Sequence, residues 1–108
     1  MNYYEHHIRA FAQATSHLNL TERGAYQLLI CKYYAKEQPL PCNIKVIQRL
    51  VRARTKSERN AVETVLEEFF VLQDDGWHNT RCDEEIARYH EGDEERALRA
   101  ENEGEELL

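Results

Sequence analysis

The chain predicts a small α+β fold: a winged helix-turn-helix, mostly helical, with one β-hairpin as its wing. Three observations lead there. Residues 43–69 carry two consecutive helical patterns of apolar residues, parted by a short polar break. Phe70-Val71-Leu72 then enters Asp75-Gly76 and Trp77 leaves it, and Asp-Gly between two such runs is a strong hairpin signal. Helix, helix, hairpin is the element order of a winged helix-turn-helix.

Residues 5 to 15 predict a first short helix, with Ile8, Phe11 and Ala12 on one side. Thr21 reads as the N-cap of a second helix, with Leu20 placed to staple against Ala25. Tyr26, Leu29, Ile30 and Tyr33 continue it at helical spacing. It stops before Pro39, because Pro39-Leu40-Pro41 disfavours helix in the residues ahead of each proline.

A third helix from about Asn43 would bury Ile44, Ile47, Leu50 and Val51. Thr55-Lys56-Ser57-Glu58 has the form of a capping box, which satisfies two free amide donors at a helix start. The helix it opens carries Val62, Val65, Leu66 and Phe69, one buried stripe at i, i+3, i+4 and i+7.

In the hairpin, Asp75 and Gly76 form a two-residue turn that needs positive φ at both positions. That register sets Leu72 opposite Asn79 and Val71 opposite Thr80. Beyond Cys82 a last helix starts at Asp83, with Glu84 and Glu85 near its positive end. Ile86 and Tyr89 turn back onto the domain, and Gly92 interrupts the helix. Residues 1–90 thus form a winged-helix-like domain. Residues 91–108, rich in Glu and poor in large apolar groups, form an acidic tail expected to be frayed helix or disordered.

The 108 residues, 42% hydrophobic and 31% charged, suit one soluble domain that folds without staples. No apolar run approaches the roughly 20 residues of a membrane span, and no secretory signal opens the chain. Cys31, Cys42 and Cys82 match neither a disulfide framework nor a zinc site, so reduced thiols in a cytoplasm are expected.

The net charge of −6 divides unevenly along the chain. Residues 83–108 hold 11 acidic residues against three arginines, leaving residues 1–82 at +2. Six of the 14 basic residues, Lys45, Arg49, Arg52, Arg54, Lys56 and Arg59, fall within fifteen positions that contain one acidic residue, Glu58. Lys45, Arg49 and Arg52 are spaced by four and three on one helical face. Arg54, Lys56 and Arg59 gather at the next helix start, where free amides favour phosphate. The alternative is a solvated face that keeps the helices soluble.

Asn60, Glu63 and Thr64 are the outward positions of the candidate recognition helix. Asn60 matches an adenine edge, whereas Glu63, Glu67 and Glu68 would repel a phosphate backbone. Trp77 is a candidate for stacking on a base or partner side chain, against the commoner alternative of packing over the third helix. His78, Asn79 and Arg81 are polar enough for a wing that meets a backbone. Tyr26 and Tyr33 read as core and Tyr34 as an interface residue, while Tyr3 and Tyr4 either join an aromatic face for a partner or second copy or clamp the first helix onto the core.

No metal, cofactor or small-molecule substrate is implied. The five histidines lack ligand spacing, and no phosphate loop, nucleophile elbow or distinctive carboxylate pair occurs. Cys31 and Cys42 read as small packed residues rather than nucleophiles.

Several segments carry a family resemblance. Asn2-Tyr3-Tyr4-Glu5-His6-His7-Ile8, Leu20 to Tyr26, Lys32-Tyr33-Tyr34, Pro39-Leu40-Pro41 and Arg52-Ala53-Arg54-Thr55 are similar to YdaU-like prophage proteins. So are Gly76 to Asn79 and Arg81 to Ile86. That family is a domain of unknown function whose members are often labelled phage replication or replication-initiation proteins. The resemblance implies a winged-helix-like N-terminal domain and carries over no catalytic residue. A short acidic tail stands where the family is expected to continue into a Lys/Ala-rich or linker segment.

The expectation is a non-enzymatic, cytoplasmic, phage-type adaptor that binds DNA loosely through Lys45, Arg49, Arg52, Arg54, Lys56 and Arg59, with Arg81 adding a contact from the wing. The alternative is an interaction module that self-associates or holds a replication or host protein, its acidic tail occupying a basic surface, even its own.

Overall fold

The computed structural model describes residues 8–92. Among these it shows five helices and one two-stranded antiparallel hairpin. The order is α1 (Ile8–Ala14), α2 (Leu20–Lys36), α3 (Ile44–Leu50), α4 (Lys56–Phe69), β1 (Val71–Gln73), β2 (Gly76–His78) and a helix over residues 80–92, α5. Expectations for residues 5–7, for Tyr3 and Tyr4 and for the tail beyond residue 92 lie outside the described residues, as does the side chain of Ile8.

Phe11 of α1 and Thr15 just after it turn inward, four residues apart, and Ala12 is exposed, contrary to the expected face. Phe11 meets Tyr26 of α2 with ring centroids 5.5 Å apart. The Arg23 guanidinium ties the turn between α1 and α2 by donating to the carbonyls of Thr15, Ser16 and Leu18 at 3.0–3.1 Å. These carbonyls belong to the turn that follows α1, where the Thr15 carbonyl also accepts the Leu18 amide at 3.0 Å.

The N-cap of α2 is Asn19, two residues before the expected Thr21. Asn19 Oδ1 accepts the Glu22 amide at 2.8 Å, and Glu22 returns a carboxylate oxygen to the Asn19 amide at 2.9 Å. Leu20 therefore becomes the first helical residue and points outward, 88% exposed, instead of stapling against Ala25. The interior face of α2 is as expected: Leu29, Ile30 and Tyr33 are buried and Tyr26 half-buried, and the helix ends at Lys36 ahead of Pro39.

α3 and α4 follow the local signals closely. Asn43 caps α3, with Ile47 fully buried and Ile44, Leu50 and Val51 half-buried. The Thr55–Glu58 capping box is present in full. Val62, Val65 and Leu66 are buried and Phe69 is half-buried against Tyr26. Each such fully buried aliphatic side chain contributes about 1.5–3 kcal/mol relative to exposure. Gln48, also buried, donates to the Arg59 carbonyl at 3.2 Å and so fixes α3 against α4.

The hairpin forms one residue earlier than expected. Its pairs are Val71 with His78, Leu72 with Trp77 and Gln73 with Gly76, so Asp74 and Asp75 make the turn. Neither aspartate has positive φ. Gly76, at φ 139°, lies in β2, where a Cβ would stand 2.1 Å from the Leu40 carbonyl oxygen. The segment between α2 and α3 crosses β2 there: Leu40 and Trp77 exchange both main-chain hydrogen bonds, at 2.8 and 3.0 Å. Glycine serves a close backbone approach rather than the turn.

The chain after β2 also differs from expectation. α5 starts at residue 80 rather than 83, because Asn79 is its N-cap: Asn79 Oδ1 accepts the Cys82 amide at 2.9 Å. Residue 92 is still helical, so Gly92 does not interrupt α5 within the described residues. Ile86 packs on the core, and Tyr89 is half-buried. Tyr33 and Tyr34 donate to the carboxylates of Asp83 and Glu85, and His90 Nε2 lies 2.7 Å from Glu37 Oε2, which lays α5 along α2. Tyr34 is therefore a buried joint, 5% exposed, and not an interface residue. Burial drives the hydroxyls of both tyrosines well above the ordinary tyrosine range.

Candidate nucleic-acid interface

The cationic stretch occupies α3, the turn after it and the first turn of α4. All six side chains are exposed, and among the described residues none pairs with a carboxylate. Lys45 and Arg49 share the outer face of α3. Arg52, Arg54, Lys56 and Arg59 surround the turn into α4, where the Arg59 guanidinium donates to the Arg54 carbonyl at 2.7 Å.

Glu58, the acidic residue among them, is held by local structure. One of its oxygens accepts the amides of Arg54 and Thr55 at 2.9 and 3.0 Å, and those donors keep its carboxyl below the usual carboxylate range. The capping box thus points this carboxylate back at the main chain.

Arg52 has an unusual backbone for its type. It is left-handed at φ 57°, in the position after the α3 C-cap. Its amide donates to the Arg49 carbonyl at 3.1 Å, and the Ala53 amide donates to the Gln48 carbonyl at 2.9 Å. That pair of bonds is a Schellman ending, a place usually taken by glycine. A side chain there costs about 1–2 kcal/mol, so Arg52 stands where the backbone favours a residue without one.

The remaining candidates separate from this group. Asn60 is exposed on α4 beside Lys56, while Glu63 and Glu67 are exposed farther along the helix. Trp77 is corrected from a stacking candidate to a core residue: it is 9% exposed and its indole N–H donates to the Cys42 carbonyl at 3.2 Å. Arg81 lies in the first turn of α5, not on the wing, 3.5 Å from Glu85. Asn79 anchors that turn to the Phe69 carbonyl at the far end of α4. With 14 residues, α4 holds Arg81 about 20 Å from the cluster at its start.

The hairpin tip offers no cationic wing. Asp74 and Asp75 are exposed, and Asn79 is buried. His78 sits between two carboxylates, with Nε2 2.6 Å from Asp75 and Nδ1 3.0 Å from Asp83. The Asp83 contact, then the Asp75 contact, raises the His78 pKa above its ordinary 6.5, and His78 lowers that of Asp75. The histidine contribution is full below pH 6.5 and disappears as pH rises through the raised value; the Asp75 contribution disappears as pH falls through its lowered value. Denaturant titrations of the natural chain and of His78→Gln are therefore expected to differ most at mildly acidic pH and to converge by pH 9. A constant difference would remove the charged clamp.

The thiols divide by environment. Cys82 is buried, and that burial pushes its pKa up to about 12. Cys42 is exposed, with its sulfur 3.6 Å from the Asp74 carbonyl oxygen, and is not the packed residue expected. Among the described residues no three His, Cys, Asp or Glu side chains are grouped to hold a metal, and no helix is long and apolar enough to cross a membrane.

Comparison with known proteins adds the family. Residues 2–87 match the family described as "Protein of unknown function (DUF1376)". The chain belongs to this family. The DUF1376 chain is 36% identical over 91 residues to "Uncharacterized protein YdaU" of Escherichia coli (strain K12), a match that covers 82% of this chain. It spans about 30% of that relative's length. No solved structure gives a significant match. The resemblance to YdaU-like proteins drawn from the sequence segments is therefore correct.

Three features escaped the sequence reading. Asn19 carried a visible signal, an Asn three residues ahead of Glu22. Asn79 carried another, an Asn followed by Asp83, Glu84 and Glu85. The clearance demanded at Gly76 had none, since its cause is 36 residues away at Leu40.

Proposed function

We propose that this DUF1376 domain is a winged helix-turn-helix that holds nucleic acid by its phosphates, as a non-enzymatic, cytoplasmic, phage-type adaptor in DNA replication. The observation that carries this reading is the set of six exposed cations around α3 and the start of α4, none paired with a carboxylate among the described residues, in a chain whose net charge is −6. Such groups release counterions from a phosphate backbone and give affinity without sequence information.

The element order supports the fold named in the proposal. A helix (α2), a strand residue (Leu40), two helices (α3, α4) and a two-stranded ribbon follow one another, and Leu40 pairs with the ribbon's second strand. The replication setting rests on the resemblance to prophage proteins, and the cytoplasmic one on three free thiols. Glu63 and Glu67 oppose a duplex laid along α4, so phosphates are assigned to the α3 face and the α4 start.

Anisotropy of a labelled duplex titrated with the full chain tests the reading. Binding is expected at about 20 mM salt, with a log–log slope near −0.9 per phosphate neutralised. Alanine at Arg54, Lys56 and Arg59 together is expected to remove about 2.7 from that slope. Arg52→Gly is expected to raise stability by about 1 kcal/mol while weakening binding, which separates lost contact from lost fold. Absence of binding by the full chain at low salt, to the duplex and to its unpaired strand alike, ends the proposal.

A second reading has its own observation. Leu20 and Leu28 are 88% and 47% exposed on α2, and the space above Gly24 between them is open. An interaction module would use that stripe for another helix. Sedimentation mass that rises with concentration, abolished by Leu28→Glu, would favour it.

A further inference from the structure

Beside the cationic turn, the start of α2 and residues 56–64 of α4 line an open groove of about 370 Å³. Thr21 lines one wall, Lys56, Ser57, Asn60 and Thr64 the other, and Ala61 is buried at its base. The volume lies in the range of about 300–1,000 Å³ typical of small-molecule sites. The side chains of Thr21, Ser57, Asn60 and Thr64 make no hydrogen bond to any described residue. They present hydroxyls and an amide, donor and acceptor together, which match the edges of a nucleobase.

The charges around the groove select how a base can arrive. Glu63 and Glu67 lie three and seven residues beyond Asn60 on α4, both exposed. A duplex pressed toward the groove would bring its phosphates against these carboxylates. An unpaired base is neutral at its edge, and its phosphate can stay with Lys56, Arg54 and Arg59 at the helix start. Glu22, the carboxylate in the groove wall, is occupied by the Asn19 amide.

We infer that the groove between α2 and α4 is a subsite for an unpaired nucleobase, and that the domain prefers single strands to duplex. This rests on the phosphate-binding reading above. Asn60 reads the base edge, Thr64 and Ser57 complete the polar wall, and Lys56 meets the adjoining phosphate.

Anisotropy with a mixed-sequence 20-mer, single-stranded and annealed to its complement, tests the inference on the full chain. The single strand is expected to bind at least about tenfold more tightly at equal salt. Asn60→Ala and Thr64→Val are each expected to lower single-strand affinity by about tenfold with the salt slope unchanged, since neutral side chains release no counterions. Arg54→Ala lowers affinity for both forms and reduces the slope. Circular dichroism melts identify any variant that has lost its fold, and the unaltered chain's strand preference stands as an independent readout. Equal binding of both forms, with Asn60→Ala and Thr64→Val silent, overturns the base subsite and leaves the phosphate face intact. Binding of neither form overturns both.

Discussion

Gly76→Ala is expected to destabilise the domain by about 3–5 kcal/mol. The added methyl would stand 2.1 Å from the Leu40 carbonyl oxygen, the atom that accepts the Trp77 amide. Either Gly76 leaves its φ of 139°, a region that costs other residues about 1–3 kcal/mol, or the Leu40 segment withdraws. Withdrawal breaks two main-chain hydrogen bonds at about 1 kcal/mol each and uncovers Leu40 and Trp77, 4% and 9% exposed. For a domain of this size the melting temperature should fall by about 15 °C or more. Trp77, the one tryptophan, reports the change by fluorescence. A loss under about 1 kcal/mol would show that the Leu40 segment does not cross β2 as described. The proposed nucleic-acid binding should survive at temperatures where the variant remains folded, because the cations lie elsewhere.

Asn79→Ala carries the second large effect. This side chain serves two helices at once, donating to the Phe69 carbonyl at 3.0 Å and accepting the Cys82 amide at 2.9 Å. Loss of an N-cap costs about 1 kcal/mol, and leaving the α4 carbonyl unpaired adds about 1–3 kcal/mol. A total near 2–4 kcal/mol in chemical denaturation is expected. Asn79→Asp separates the parts: it keeps the capping oxygen and loses the donor, so it should recover about the cap alone. Full recovery by aspartate would assign the whole effect to the cap and detach α5 from the end of α4.

Both residues flank or lie in a ribbon, residues 71–78, that carries no Lys or Arg to meet a phosphate. Its turn is made of two aspartates, its tryptophan is a core side chain, and its exit residue caps a helix. The cationic surface instead follows the α3–α4 corner. There a capping box consumes Glu58, and a Schellman ending presents Arg52 in a conformation that glycine would adopt at lower cost.

α4 was legible from the amino acids alone, and so was most of α2 and α3. A Thr and a Glu three residues apart, a stripe at i, i+3, i+4 and i+7, and prolines after a helix act within one or two turns of chain. The exposure of the six cations was legible for the same reason, because their positions on each helix follow from helical spacing. Contacts across long separations were not. The turn moved from Asp75-Gly76 to Asp74-Asp75 because Leu40 lies over Gly76. Tyr34 and Trp77 went inside because α5 and the residues around Cys42 supply hydrogen-bond partners for them. Arg81 left the wing once Asn79 found the end of α4. Hydrogen bonds and clearances of this kind depend on which distant backbone arrives beside a residue, and packing alone chooses that neighbour.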